Sequence, residues 1–253
     1  MKILITCGPG YEPIDGARRL TNFSTGTLGV TLANHFARLH HDVLCLKGEG
    51  ATCPEPLRGP RLESFATNDD LARRLERASQ REPFDAVLHA AALCDYRVDH
   101  VLNGEGSVIR SEKFATRDGR LMLVLAPATK VLPRLREWFP NALIAGWKYE
   151  LAGTRDDALA KAWLQMDQNR TDACVLNGAA YGNGFAFCES NGGVQPCPDK
   201  NALGACLEAW LERAKTFRLC KVSRPFPTNQ RHNMELEVDG PMPSEPVLRQ
   251  NVS

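Results

Sequence analysis

Residues 18 to 29, RRLTNFSTGTLG, bring together side-chain types suited to holding an anion. Ser24 or Thr25 can cap the helix that follows, Gly26 lets backbone N–H groups face outward, and a helix N-terminus attracts phosphate. Capping alone would account for Ser24. It does not account for Asn22, which offers both a donor and an acceptor just before the cap, nor for the two arginines ahead of it, of which Arg19 lies closer to the loop. Together these residues form an anion and amide recognition loop. A second loop, CGPGYEPID, precedes it: Gly8 and Gly10 allow the backbone to approach a bound group, and Pro9 and Pro13 stiffen the turn.

Such loops need a rigid frame. Apolar runs of strand length alternate with amphipathic stretches of helix length, the pattern of βα units feeding a largely parallel sheet. The expected strands are KILIT, DVLCLKG, FDAVLHAAA, LMLVLA, ALIAGWK and DACVLNG. The expected helices are TLGVTLANHFARLH, NDDLARRLERASQ, TKVLPRLREWF, RDDALAKAWLQMDQNR and KNALGACLEAWLERAK. In the first helix Leu28, Leu32, Phe36 and Leu39 keep helical spacing; in the second, Leu71 and Leu75 point inward while Arg73, Arg74 and Arg77 form a solvated face. GFAFCESNGGVQPC reads as a β-hairpin turning at Asn191 to Gly193. The fold class is therefore α/β: a Rossmann-like, doubly wound, mostly parallel sheet flanked by helices, with a small β-hairpin extension. Residues 1–219 make a single α/β domain, and residues 220–253, rich in Pro and polar residues, read as a flexible tail. No internal repeat is present.

Composition excludes several classes. The 31 basic and 30 acidic residues leave a net charge of +1, giving no electrostatic reason to expect nucleic acid or an anionic membrane as partner. No stretch approaches the roughly 18 apolar residues of a membrane span, and nothing resembles a signal peptide, so a cytoplasmic location is expected. The nine cysteines are scattered and never spaced C-x-x-C, so they read as reduced, buried small hydrophobes. His40 and His41 read as a surface turn, His89 as a hydrogen-bonded strand residue, and Trp138, Trp163 and Trp210 as core or interface residues. There is no G-x-G-x-x-G and no Tyr-x-x-x-Lys, which argues against an NAD(P)-dependent reductase on this frame.

The order of motifs is more specific than any one of them. EPIDGARRLTNFSTGTLG, HAAALCDYRV, SEKFATRDGRLMLVLAPATKVLPRL, GWKYEL and DACVLNG follow one another as they do in the phosphopantothenoylcysteine synthetase (phosphopantothenate–cysteine ligase) family. The chain resembles the free-standing form of that family over roughly residues 2 to 215. The resemblance implies a ligase of coenzyme A biosynthesis that condenses 4′-phosphopantothenate with cysteine through an acyl-nucleotide intermediate, with CTP or ATP as cosubstrate and Mg²⁺ held largely by substrate phosphates. It implies catalytic roles for Asn22, at the intermediate, and Lys113, at the α-phosphate. Gly8, Gly10, Ser24, Thr25, Gly26, Asp95 and Lys148 are implied to bind nucleotide or phosphate, and Arg19 and Asn177 substrate. Asp95 has the alternative of a turn or capping acid, and Lys113 that of an exposed loop lysine. The resemblance also implies a homodimer, to which the strands around GFAFCES are expected to contribute. Three departures stand out: the Thr usual after the first glycines is replaced in GPGYEPID, the family's Ala-Asn-Asp reads Leu-Asn-Gly around Asn177, and Thr27 stands where a lysine is common. A non-catalytic nucleotide or coenzyme-precursor binding protein is the alternative from another class.

Overall fold

The first strand, β1 (Lys2–Cys7), is a continuous apolar run because both of its faces are covered. In the computed structural model, which describes residues 1–222 and the side chains of residues 1–216, Ile3 and Ile5 point to one side and Leu4 to the other, all at 0% exposure. A short antiparallel pair, β2 (Tyr11–Pro13) and β3 (Arg19–Thr21), leads into α1 (Thr27–Arg38). Then come β4 (Asp42–Gly48), β5 (Arg61–Phe65), α2 (Asn68–Arg81) and β6 (Ala86–His89). An excursion of β7 (Tyr96–Leu102), β8 (Val108–Ile109) and β9 (Met122–Pro127) is followed by α3 (Leu135–Trp138) and β10 (Leu143–Tyr149). The rest is α4 (Arg155–Asn169), β11 (Ala173–Gly178), β12 (Gly182–Glu189), β13 (Val194–Cys197) and α5 (Lys200–Val222).

Eight strands form one sheet in the order β13-β12-β11-β10-β6-β1-β4-β5; the six from β11 to β5 are mutually parallel, and β12 runs antiparallel to both its neighbours, β11 and β13. The order reverses between β1 and β6, the point at which open α/β sheets bind ligands beyond the carboxyl ends of their strands. On one side Val30, Leu32 and Phe36 of α1 and Leu203, Leu207 and Trp210 of α5 pack on Ile3 and Ile5; on the other Leu71 and Leu75 of α2 and Leu135 pack on Leu4. Each such side chain contributes about 1.5–3 kcal/mol by leaving water. Helix α1 lies so near β1 that a Cβ on Gly29 would stand 2.0 Å from Cys7 Cβ. Only glycine fits there, and this contact sets where the helix begins relative to the strand.

The expected doubly wound frame, its hairpin extension and most of its elements are present, with instructive differences. LMLVLA is not a strand of the large sheet: it forms β9, which pairs with β7 and, through it, β8 in a separate three-stranded antiparallel sheet. The large sheet passes directly from β6 to β10, leaving Met122, Leu123 and Leu125 exposed. TKVLPRLREWF is not one helix but a 3₁₀ turn (Leu132–Arg134) followed by the four-residue α3, because Pro133 lacks an N–H and clashes with a preceding carbonyl. The strands around GFAFCES lie in the large sheet, β12 being paired with β11 on one side and with β13, the edge strand, on the other. Trp163 is 38% exposed and so is not a core residue, whereas Trp138 and Trp210 are buried, Trp210 edge-on to Phe187 at 5.5 Å.

Smaller expectations hold. His89 is buried with Nδ1 2.8 Å from Thr6 Oγ1, and His40 and His41 occupy the turn after α1. Among the described residues eight cysteines are free, all but Cys53 buried. No described helix is long and apolar enough to cross a membrane. Helix α5 extends to Val222, and the remainder of the tail expected over 220–253 lies outside the described residues.

Candidate active site

At the carboxyl end of β1 the chain turns at Gly8, φ +78°, directly beneath the start of α1. A Cβ on Gly26 would stand 3.2 Å from Gly8 Cα, so the two loops touch through backbone alone. Gly26, also at φ +78°, is itself the N-cap of α1, and neither Ser24 nor Thr25 caps the helix. Their hydroxyls instead accept from the amides two residues on, Ser24 Oγ from Gly26 N at 3.4 Å and Thr25 Oγ1 from Thr27 N at 3.3 Å. The left-handed turn at Gly26 carries both hydroxyls outside the helix, onto the loop that faces the strand ends.

Gly10 is packed among the site loops. It is buried, donates its N–H to Ala92 O at 3.0 Å and accepts from Thr21 Oγ1 at 2.9 Å, and a Cβ there would press on Leu93. Its neighbours bind the site loops together. The buried Asn68, first residue of α2, donates to Cys94 O at 2.8 Å and Thr129 O at 2.9 Å and accepts from Cys94 N at 3.3 Å. It therefore ties the start of the three-stranded excursion to its end. Glu12 accepts from Asn68 N at 3.3 Å, and burial pushes its carboxyl up against the effect of that bond.

Beyond β6 and β10 lies a cavity of about 400 Å³ whose lining includes Asp95, Lys130, Lys148, Lys161, Gln165 and Asn169. Asp95 is paired with Lys130. Glu150 receives Lys148 at 3.2 Å and Lys161 at 2.6 Å; the Lys161 bond holds its carboxyl below the usual range, with Lys148 adding to the effect against partial burial. Two ammonium groups share one carboxylate, leaving the rim locally positive toward an anionic ligand. The exposed Asn22 reaches the same rim, its Nδ2 donating to Leu93 O at 2.9 Å, two residues before Asp95.

Other expected residues stand apart from this cavity. Arg19 lays its guanidinium 4.9 Å from the centre of the Tyr11 ring. Asn177 is in register with Tyr149, and its carbonyl accepts Glu150 N at 2.9 Å, so its backbone helps hold the acid that both lysines share. Lys113 is exposed on the loop before β9, between Glu112 and the buried Phe114. The structure thus gathers Asp95, Lys148 and the Asn22 loop, and leaves Lys113 on a separate exposed segment. Lys130, Lys161 and Asn68 were not singled out from the sequence. Lys130 ends APATK within a motif that was, but Asn68 looks like any first residue after a helix cap. Among the described residues no group of three His, Cys, Asp or Glu side chains is arranged to hold a metal.

The model of the DNA/pantothenate metabolism flavoprotein C-terminal domain matches residues 1–195. The chain belongs to this family. A relative in the DNA/pantothenate metabolism flavoprotein C-terminal domain family, the coenzyme A biosynthesis bifunctional protein CoaBC of Thermococcus kodakarensis, is 26% identical over 176 residues, covering 70% of this chain and 41% of the relative. The chain thus spans less than half that relative's length. In fold it is similar to the DNA/pantothenate metabolism flavoprotein from Streptococcus pneumoniae, with TM-score 0.73, 24% identity and coverage of 86% of this chain and 99% of that one. It is also similar to a Cab2 mutant in complex with phosphopantothenate-cysteine, with TM-score 0.66, 20% identity and coverage of 88% and 89%.

Proposed function

We propose that this chain is a ligase that condenses 4′-phosphopantothenate with cysteine through an acyl-nucleotide, using CTP or ATP. The observation that carries the reading is the shared rim: Asn22 is bonded to Leu93, and two residues on Asp95 enters the cavity that Lys148 also lines. Family membership and the CoaBC relative support it.

In the first step a carboxylate oxygen of 4′-phosphopantothenate attacks the α-phosphorus, the bond to the bridging oxygen breaks and pyrophosphate leaves. In the second the cysteine amine attacks the acyl carbon, the nucleoside monophosphate leaves, and the amine proton is released. No protein nucleophile is required. The work of the chain is positioning and charge compensation. Lys148 and Lys161, oriented by Glu150, compensate phosphate charge in the cavity; Ser24, Thr25 and the backbone around Gly26 form the phosphate loop; Asn22 contacts the acyl-nucleotide; Lys113 meets the charge that grows on the α-phosphate. A Mg²⁺ brought by the nucleotide would add to this compensation of phosphate charge.

Two copies are proposed to pair through the three-stranded sheet, where Tyr96, Val108, Met122, Leu123 and Leu125 are each exposed by more than a third. The reaction is placed in the cytoplasm.

The test is pyrophosphate release by the purified protein with Mg²⁺, 4′-phosphopantothenate and either CTP or ATP, with and without cysteine, following the acyl product by mass. Cysteine-dependent amide formation is expected and names the nucleotide. Binding without release by either nucleotide would leave the non-catalytic reading, and hydride transfer to NAD(P) the reductase.

A further inference from the structure

The Lys113 loop is fastened to the turn between β2 and β3 by one carboxylate. Asp15 Oδ1 accepts the turn's own amides, Ala17 N at 2.9 Å and Arg18 N at 2.8 Å. Its other oxygen, Oδ2, accepts Arg18 Nη2 at 2.5 Å and, from almost a hundred residues further along the chain, Phe114 N at 3.2 Å. Arg18 Nη2 also donates to Phe114 O at 2.6 Å, and Gly16 N donates to Glu112 O at 2.8 Å. Both neighbours of Lys113 are therefore clamped to this turn.

Lys113 itself is folded back locally. Ser111 Oγ donates to Lys113 O at 2.9 Å and accepts Lys113 N at 3.3 Å. Its ammonium has no carboxylate partner among the described residues. The side chain of Asp15 is fully covered, at 0% exposure, while that of Arg18 is 48% exposed. Burial alone would raise the Asp15 carboxyl, yet the donors from Ala17, the Arg18 guanidinium, Phe114 and the Arg18 amide hold it far below the usual carboxylate range. An oxygen so fully used joins two distant segments, and the segment it holds bears a free cation.

We propose that Asp15 is a positioning residue for the ligation: by gripping Arg18 and the Phe114 amide it presents Lys113 to the phosphates of the nucleotide. The proposal rests on the ligase reading and deepens it. Asp15 touches no substrate; it acts through Lys113.

The two oxygens have separate duties, and Asp15→Asn separates them. The remaining oxygen serves the turn, whereas the amide nitrogen faces two donors and cannot accept either. Acyl-nucleotide formation, read as the pyrophosphate burst without cysteine, is expected to slow about 10- to 100-fold, as for loss of charge-assisted bonds. Lys113→Ala is expected to slow it comparably, and Asp15→Asn to add nothing in the Lys113→Ala background. Amide exchange at residues 112–115 is expected to rise in Asp15→Asn while the rest of the chain keeps its protection. Arg18→Lys, which keeps the charge but cannot bridge Asp15 and Phe114 O, should show the same pattern more weakly, and it carries the test should Asp15→Asn not fold.

Unchanged exchange at 112–115 in Asp15→Asn overturns the proposal whatever the chemistry. An equal additional loss from Asp15→Asn in the Lys113→Ala background overturns it in favour of a general structural role. Failure of the unmodified protein to release pyrophosphate with either nucleotide defeats the ligase reading instead, and the exchange measurement tells the two failures apart.

Discussion

Asn22 and Leu93, 71 residues apart, are joined by one hydrogen bond of 2.9 Å from a side-chain amide to a main-chain carbonyl. The bond brings the loop ahead of α1 to the strand end that carries Asp95. It uses the nitrogen of the Asn22 amide.

Asn22→Asp replaces that donor with a carboxylate oxygen facing the Leu93 carbonyl, and the loop is expected to turn away. Conversion of the acyl-nucleotide to amide should slow by about 100-fold, the size of effect seen when one aligned donor is lost from a reacting centre. Mass spectrometry of quenched reactions should show the intermediate accumulating; a normal product rate would remove Asn22 from the site.

Asn68→Ala leaves Cys94 O, Cys94 N and Thr129 O without their buried partner. Such groups cost about 1–3 kcal/mol each when unsatisfied, reduced where water enters, so a loss of about 2–4 kcal/mol in stability is expected. Urea unfolding measures it. Activity should fall as well, because the loops that Asn68 joins carry Asp95 and Lys130.

The buried His89 is held neutral, its pKa pushed down to about 4 from an ordinary 6.5 by burial. The unfolded chain binds a proton there at higher pH than the folded one, so stability is fully present above about pH 6.5 and is lost as pH falls toward 4, by about 3 kcal/mol from this residue. In His89→Gln, which can still bond Thr6, that share of the pH dependence should vanish. Urea midpoints of the two proteins between pH 7 and 4 provide the comparison; parallel curves would contradict the assignment.

Leu125, 46% exposed on β9, is expected to be covered by a second copy. Leu125→Lys should shift the protein from dimer to monomer in sedimentation experiments while leaving its circular dichroism unchanged. A monomeric unmodified protein would remove the pairing proposal.

The frame was legible wherever one physical demand dominated. KILIT reads as a strand because burial on both faces demands the apolar run Ile3, Leu4 and Ile5, and α2 reads as a helix because Leu71 and Leu75 recur under a charged face. RLESF escaped notice because only Phe65 among its residues is buried, and LMLVLA misled because an exposed apolar surface is spelled with the same letters as a core. The cap of α1 was misplaced because the left-handed turn at Gly26 does the work a hydroxyl was expected to do. The loop residues Asn22, Asp95 and Lys148 stood out by motif. Their supports, Asn68, Lys130 and Lys161, did not, because what they do depends on partners far along the chain.

The large sheet ends in two guarded margins. At one, β13 is four residues long and carries Pro196, which has no N–H to offer an incoming strand. At the other, β5 presents Arg61 and Glu63, whose charges are engaged by Glu82 and Arg81 at 2.7 and 3.7 Å. A stray extended chain therefore finds no template on either flank, and the protein can display an apolar sheet elsewhere without inviting its main sheet to grow into a fibre.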